Sequence, residues 1–305
     1  MLILFAKQRI TRPALLQLAL LCLGLLATQT HAQQTVYYPR AESLGDERSS
    51  YPVELLKLSL KHSDQQFTLA PSALHMQQGR SLKLLAQGRL VDVVWTVTSS
   101  ARESSLLPIR IPIDRGLLGW RLLLIKQADQ SLFSPIHHAP ALAQLRAGQG
   151  HDWPDTFVLR ENQFKITTST QYENLFHMLT RGHIQYFPRS VIEIWGELDA
   201  RPHLPIAVEN HLVLHYPAAL YFFVNKHNTE LARAIETGLQ KSIADGSMQA
   251  LFNHHYQALI QRVDFAHRTI IHLKNPQLPA LTPTTVSEYW FNPNTQQPAS
   301  KQELN

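Results

Sequence analysis

The sequence contains one cysteine, Cys22, and it lies inside a leucine-rich stretch close to the N-terminus. A chain that sheds this stretch as a leader has no disulfide framework and no thiolate to hold a metal. Its stability must then come from an ordinary apolar core. Long apolar runs are missing too. The uncharged run Ala14 to Ala27 spans 14 residues, short of the roughly 20 that a membrane-spanning helix needs. There is no dense Lys/Arg tract, which disfavours nucleic acid as a partner, because phosphate neutralisation requires clustered cations. There is no GxSxG elbow, P-loop or HExxH, and Gly148-x-Gly150 lacks the third glycine of a dinucleotide fingerprint. The sixteen histidines do not replace the missing thiolates. His137-His138 and His254-His255 are adjacent, so their side chains leave on different sides, and Pro217 with the surrounding Val and Leu makes His211 to His215 extended. No metal and no cofactor is expected.

What is present at the N-terminus reads as a targeting segment. Lys7, Arg9 and Arg12 precede the uncharged run, and Thr30-His31-Ala32 offers small residues where a signal peptidase reads. Cleavage is expected after Ala32, with export to the periplasm. Leu21, before Cys22, is too large for a lipoprotein signal. About 273 residues remain, room for two modest domains or one large one. The formal charge of +5 falls to +2 once the three leader cations are removed, with 25 basic residues against 23 acidic.

The mature part alternates helix and strand signals. A strand is expected over Thr35 to Tyr38, a helix from Tyr51-Pro52, a short strand over Phe67 to Leu69 and a helix around Ser81 to Gln87. Gly88 is placed as a left-handed cap, and the strand Val91 to Val97 follows. The apolar run Leu117 to Ile125, LLGWRLLLI, has the length of a strand buried on both faces, and Leu220 to Val224 is a comparable run. These two runs read as crossings between lobes; alternatively, both are central strands of one sheet. Between them, Thr170 to Glu173 fits a capping box, a helix carries Tyr172, Leu175, Phe176 and Leu179, and Gly182 precedes the strand Ile184 to Phe187. Later, Asn228 or Thr229 caps a helix that breaks at Asp245-Gly246-Ser247, and a second helix comes after it. The expected fold class is α/β, two-lobed. The first lobe takes residues 33–118 plus 219–291, the second 119–218, after a leader over 1–32. From Asn275 the chain is proline-rich, and an extended strap should hold Tyr289, Trp290 and Phe291 ahead of a loose tail over 292–305.

The most informative stretch is Leu90 to Arg102, LVDVVWTVTSSAR. A strand there stops at a Thr/Ser cluster followed by a lone guanidinium, which is how open α/β sheets hold small anions. A similar unit returns as FHMLTRGHIQYFPRS, Phe176 to Ser190. In order and spacing, GRLVDVVWTVTSSARE, TRGHIQYFPRS and NTELARAIETGLQKSIADGSMQALF resemble the periplasmic solute-binding proteins of family 3. These are the extracellular receptors of polar amino-acid ABC transporters. The resemblance covers Tyr51 to Tyr256, and it implies two lobes that close on a ligand, both built on mixed, mainly parallel sheets.

By that resemblance Arg102 grips a ligand carboxylate, with Thr96 and Thr98 adding hydroxyls; the bland alternative pairs Arg102 with Glu103. Where the family has an acid for the α-ammonium, this chain reads Phe187-Pro188-Arg189-Ser190. If Arg189 faces the cleft, with Ser190 beside it, a dicarboxylate is favoured; otherwise Arg189 pairs with Glu193. Asp152 is a candidate N-cap of a helix whose first turn holds Pro154 and Asp155. Trp153 either stacks over the ligand or packs its lobe. Tyr38 and Trp95 are candidates for an aromatic wall, or are core residues. The functional expectation is a monomeric periplasmic receptor for a small carboxylate-bearing or amino-acid-like solute, with a membrane permease as partner and no enzymatic activity. The alternatives are a ligand-sensing input for a sensor kinase, and a dehydratase-like enzyme on the same fold.

Overall fold

The computed structural model describes residues 34–40, 49–63 and 65–295. The leader, its cleavage after Ala32 and the last ten residues lie outside them. Among the described residues no helix is long and apolar enough to cross a membrane.

The chain runs β1 (Gln34–Arg40), α1 (Ser50–Lys61), β2 (Phe67–His75), α2 (Gln78–Ala86), β3 (Val93–Val97), α3 (Ser100–Ser105) and β4 (Leu106–Ile109). It continues through β5 (Trp120–Lys126), α4 (Gln130–Phe133), α5 (Ala139–Leu142), β6 (Arg146–Gly150), α6 (Pro154–Glu161), β7 (Lys165–Ser169), α7 (Tyr172–Thr180), β8 (Tyr186–Ser190) and α8 (Ile194–Asp199). Then come β9 (Ile206–Val208), β10 (Leu212–His215), β11 (Leu220–Asn225), α9 (Thr229–Ala244), α10 (Ser247–Val263) and β12 (Thr269–His272).

The strands form two assemblies. In the smaller, β11 is flanked by β3 and β4, and the parallel pair β1–β2 is latched beside β3 by the Asp92 N–H to the Tyr37 carbonyl and the Tyr37 N–H to Asp92 Oδ2, each 2.8 Å. The larger sheet has the order β12-β10-β5-β8-β6-β7, with β9 also on β5. Every antiparallel pair involves β5 or β11, the strands next to the crossings, and the remaining pairs are parallel. The fold is the mixed α/β, two-lobed architecture expected from the helix–strand alternation.

Both sheets are covered on both faces, which explains their unbroken apolar runs. On β11, Phe222 and Val224 join Leu55, Leu56, Ile235 and Leu239 from α1 and α9, while Tyr221 and Phe223 meet Leu85 of α2 and, in part, Trp290. On β5, Leu122 and Leu124 face Leu175, Phe176 and Phe187; Leu123 and Ile125 face Phe133, Val158 and Tyr186. Truncating a fully buried phenylalanine such as Phe222 costs about 3–5 kcal/mol.

The run LLGWRLLLI is not one strand. Leu117–Gly119 is a 3-10 turn, because Asp114 accepts the Gly116 and Leu118 N–H groups at 3.0 and 2.9 Å, and only then does β5 begin. This turn belongs to the first crossing, and Tyr216 to Ala219 form the second. They lie side by side, tied by Tyr216 N–H to Gly119 O (3.1 Å) and Ile113 N–H to Leu220 O (2.9 Å). A Cβ on residue 119 would sit 2.0 Å from the Tyr216 carbonyl oxygen, so only glycine fits there.

The chain also crosses again. After α10, Asp264 (φ 55°) turns the backbone and β12 joins β10 in the larger sheet. Assigning all of 219–291 to the first lobe is therefore corrected for Thr269–His272: a short β-branched run completes an edge that β10 would otherwise leave open. Asn275 Nδ2 then donates to the Pro217 carbonyl (2.8 Å), and the Phe291 N–H returns to the Arg115 carbonyl (2.7 Å). Trp120 meets Phe265 and Phe291 edge-on at this junction.

Candidate functional site

At the end of β3, Ser99 caps α3 by accepting the Arg102 N–H at 3.3 Å. The helix start turns the half-buried Arg102 guanidinium back onto the Val97 carbonyl, with Nη2 3.4 Å from Gln78 Oε1. Among the described residues it forms no ion pair, and burial lowers its pKa. Glu103, the suggested partner of Arg102, is committed elsewhere. Its carboxylate accepts the Thr98 hydroxyl at 2.7 Å and Arg110 Nη2 at 2.5 Å. Thr98 thus lies at the strand end but already donates to a carboxylate. Thr96 shares the face of Val94, opposite Tyr221 in register, and its buried hydroxyl has no hydrogen-bond partner. Tyr38 and Trp95 are brought together, with ring centroids 6.2 Å apart, both half-buried against the core.

In the larger sheet, Arg189 ends β8 in a different setting. Its Nε and Nη2 grip Glu197 at 2.6–2.8 Å, and Nη2 lies 3.2 Å from Glu193. Trp153 stacks near-parallel on Phe187, and the Arg189 guanidinium lies 4.7 Å from the Trp153 ring. Gly150 leaves room for this ring, since a Cβ there would fall 2.4 Å from it. Trp153 therefore packs its lobe, and it, not Asp152, holds the N-cap position of α6. The Thr170 capping box does not form either: Gln171 is the N-cap of α7, and the Ser169 hydroxyl takes the Gln171 N–H (3.1 Å). Ser190 is fully buried, its hydroxyl donating to the Leu117 carbonyl at 3.2 Å.

Arg189 belongs to a larger network. Arg121 of β5 bonds Asp155 at 2.6 Å and approaches Glu193 at 3.5 Å, and the Tyr216 hydroxyl donates to Asp155. Burial alone would lower the pKa of both guanidiniums, but the carboxylates around them reverse the effect and hold both above the ordinary range. Burial pushes the Tyr216 phenol well up. Two cations meet three carboxylates, so the network carries one negative charge in excess. The carboxylates are also its more accessible members, at 15, 21 and 13% for Asp155, Glu193 and Glu197 against 4 and 8% for Arg121 and Arg189.

The second crossing joins the two halves. The Thr98 N–H donates to Ala219 O at 2.8 Å, Val97 packs against the cluster containing Tyr216 and Ala218, and Tyr216 reaches Asp155. A guanidinium without an ion pair among the described residues and an acid-rich pole thus flank one crossing. Sequence reasoning missed Arg121, Asp155, Glu197 and Tyr216 as a unit. The available signal was a charged residue inside the apolar run LLGWRLLLI. It also sought histidine pairs along the chain, whereas they form across it: His137–His211 at 3.2 Å and His215–His272 at 3.1 Å.

No protein-family model matches the chain, and neither does any curated protein. Solved structures do. A probable amino-acid ABC transporter extracellular-binding protein of Bacillus subtilis aligns with a TM-score of 0.57 at 18% identity, over 73% of this chain and 98% of that one. The chain has a periplasmic-binding-protein fold. A Salmonella typhimurium periplasmic binding protein described as highly specific for arginine aligns at 0.53 and 14% identity, over 73% of this chain and all of that one. A histidine kinase sensor domain with similarity to periplasmic binding proteins aligns at 0.53 and 14% identity, over 74% and 96%. Arg102 lies in α3, directly after β3, and Arg189 is the penultimate residue of β8.

Proposed function

We propose that the chain is an exported receptor that captures an amino-acid-like solute between its lobes and delivers it to a membrane ABC permease. The supporting observation is the pairing of opposite characters across the second crossing: among the described residues Arg102 has no acidic partner, and the network opposite it has a carboxylate in excess. A zwitterion fits both, its carboxylate on the guanidinium fork and its ammonium on Asp155 or Glu193. The dicarboxylate reading loses its support, since Arg189 is bound by Glu197 and Glu193 and offers no free fork. Ligand contacts to both lobes shift the population toward closure, and the two antiparallel crossings that lie side by side are the hinge.

A sensor input is the second reading, favoured by the alignment over nearly the whole of a kinase sensor domain. Both readings predict binding without turnover. A dehydratase needs a protonated acid in the cleft. Burial raises Asp114 to about 6 and also raises Glu209, yet both carboxylates accept paired backbone N–H bonds inside turns. The test is a thermal-shift screen of the mature chain with amino acids, amines and dicarboxylates, since binding raises the melting temperature by mass action. Stabilisation by an amino acid, lost in Arg102→Ala, supports the reading. Stabilisation by dicarboxylates alone, or turnover of a hit, rejects it.

A further inference from the structure

We propose that a pocket behind the hinge, walled by Arg115, is a second ligand site, for a small monocarboxylate with an apolar body. The pocket has a volume of about 220 Å³, and Ile111, Pro112, Ile243 and Met248 make it largely apolar, with Arg115, Gln249 and Glu288 adding polar groups to its wall. An apolar cavity of about 150 Å³ already accommodates benzene, so an aromatic or short aliphatic acid fits this volume.

The anion preference comes from Arg115. It sits in the first crossing in the left-handed region (φ 51°), next to Gly116 (φ 74°). A bulky side chain is held there at a conformational cost that glycine would avoid. Its Nη1 donates to Gln249 Oε1, and Nη2 is 3.4 Å from the Trp290 carbonyl. Nε is buried without a hydrogen-bond partner. A guanidinium carries five N–H donors, so most of this one is uncommitted. The cation lies over the Phe252 ring, 5.3 Å from its centroid, and forms no ion pair among the described residues. Arg121 and Arg189, by contrast, each meet two carboxylates. Burial lowers the Arg115 pKa, so the cation is desolvated, and a bound carboxylate would restore its missing counter-charge. Exposed Glu288, also on the pocket wall, disfavours a second negative charge. The ligand class is therefore a monoanion.

The site does not depend on the cleft reading, and its test separates the two. Benzoate and hexanoate, with benzamide and hexanamide as neutral controls, are titrated into the mature chain by calorimetry and ligand-observed NMR. At least one acid should bind with a dissociation constant of about 1 mM or tighter, and its amide about tenfold weaker or less. Arg115→Gln should weaken the acid by about tenfold or more, and Met248→Trp, which fills the pocket, should abolish binding while circular dichroism stays unchanged. Arg102→Ala should leave it intact. Equal binding of acid and amide, retention in Arg115→Gln and Met248→Trp, loss in Arg102→Ala, or no binding at about 10 mM would each overturn the proposal.

Discussion

The ends of β3 and β8 present the same residue type, an arginine at or just after the end of an apolar strand, and use it in opposite ways. Arg102 turns back on a carbonyl and, among the described residues, stays without a carboxylate. Arg189 is held by Glu197 and Glu193 and pressed onto Trp153. The difference lies in the segment after each strand. After β8 the acids fall four and eight residues on, which returns them to the arginine's side of the turn and helix there. After β3 the acid is the next residue, so Glu103 leaves on another side and goes to Arg110. A strand-end guanidinium is available to a ligand only if the succeeding turn does not return a carboxylate to it.

The largest expected contrast is in stability. Arg189→Ala strands two carboxylates in a buried site and should destabilise the fold by about 3–5 kcal/mol, read as a lower urea midpoint. Arg102→Ala should change that midpoint little. If the two variants unfold alike, the distinction between the strand ends is wrong.

The crossing between them supplies the next effect. Asp114 is buried and raised to about 6, with burial as the cause and its backbone N–H bonds opposing it. A carboxyl raised above its unfolded value of about 4 is more readily protonated in the folded chain. Its contribution is full below about pH 4 and is lost as the pH rises through about 6. The stability of the wild type relative to Asp114→Asn should thus fall by about 3 kcal/mol from well below about pH 4 to well above about pH 6. A pH-independent difference would mean that the first crossing does not hold this carboxyl away from water.

Binding comes third. Arg102→Ala should weaken the cleft solute about 100-fold, the worth of one charge-assisted fork, whereas Arg189→Lys, which keeps the charge, should alter affinity far less. Isothermal titration with the screened hit reads both, and the reverse order would move the carboxylate anchor to the larger sheet.

Much of the fold was legible because apolar periodicity and glycine placement are local. Gly88 and Gly182 both adopt left-handed φ ahead of their strands, Asn228 caps α9 through its side chain, and Gly246 breaks α9 from α10. Three local signals failed, the Asp152 cap among them, since Trp153 holds that position. The capping box at Thr170 lost to a Ser169 turn, and the apolar run at Leu117 was cut by Asp114, whose grip on two N–H groups shapes the crossing. The site was less legible because its chemistry is assembled from distant residues. Arg121, Asp155, Glu193 and Tyr216 come from a strand, two helix starts and the second crossing, and no spacing in the sequence brings them together. The β12 return to the larger sheet was hidden for the same reason: four β-branched-rich residues carry a strand signal but no address.

The smallest effect tests whether burial, and not the arginine–carboxylate motif itself, makes Arg189 structural. Arg201 is a close copy of it: it pairs with Glu173, and its guanidinium lies 3.8 Å from the Phe176 ring centroid and 5.3 Å from that of Tyr172. Glu173, however, is largely exposed, whereas Glu197 is largely covered. In water the pair gains little over its hydrated ions, so Glu173→Gln should cost less than about 1 kcal/mol. Glu197→Gln should cost several times more, because Arg189 stays buried and loses its fork. Equal losses in urea unfolding would mean that solvent access does not set the value of these pairs. The excess charge at the Arg189 pole would then be a poor guide to what the cleft attracts.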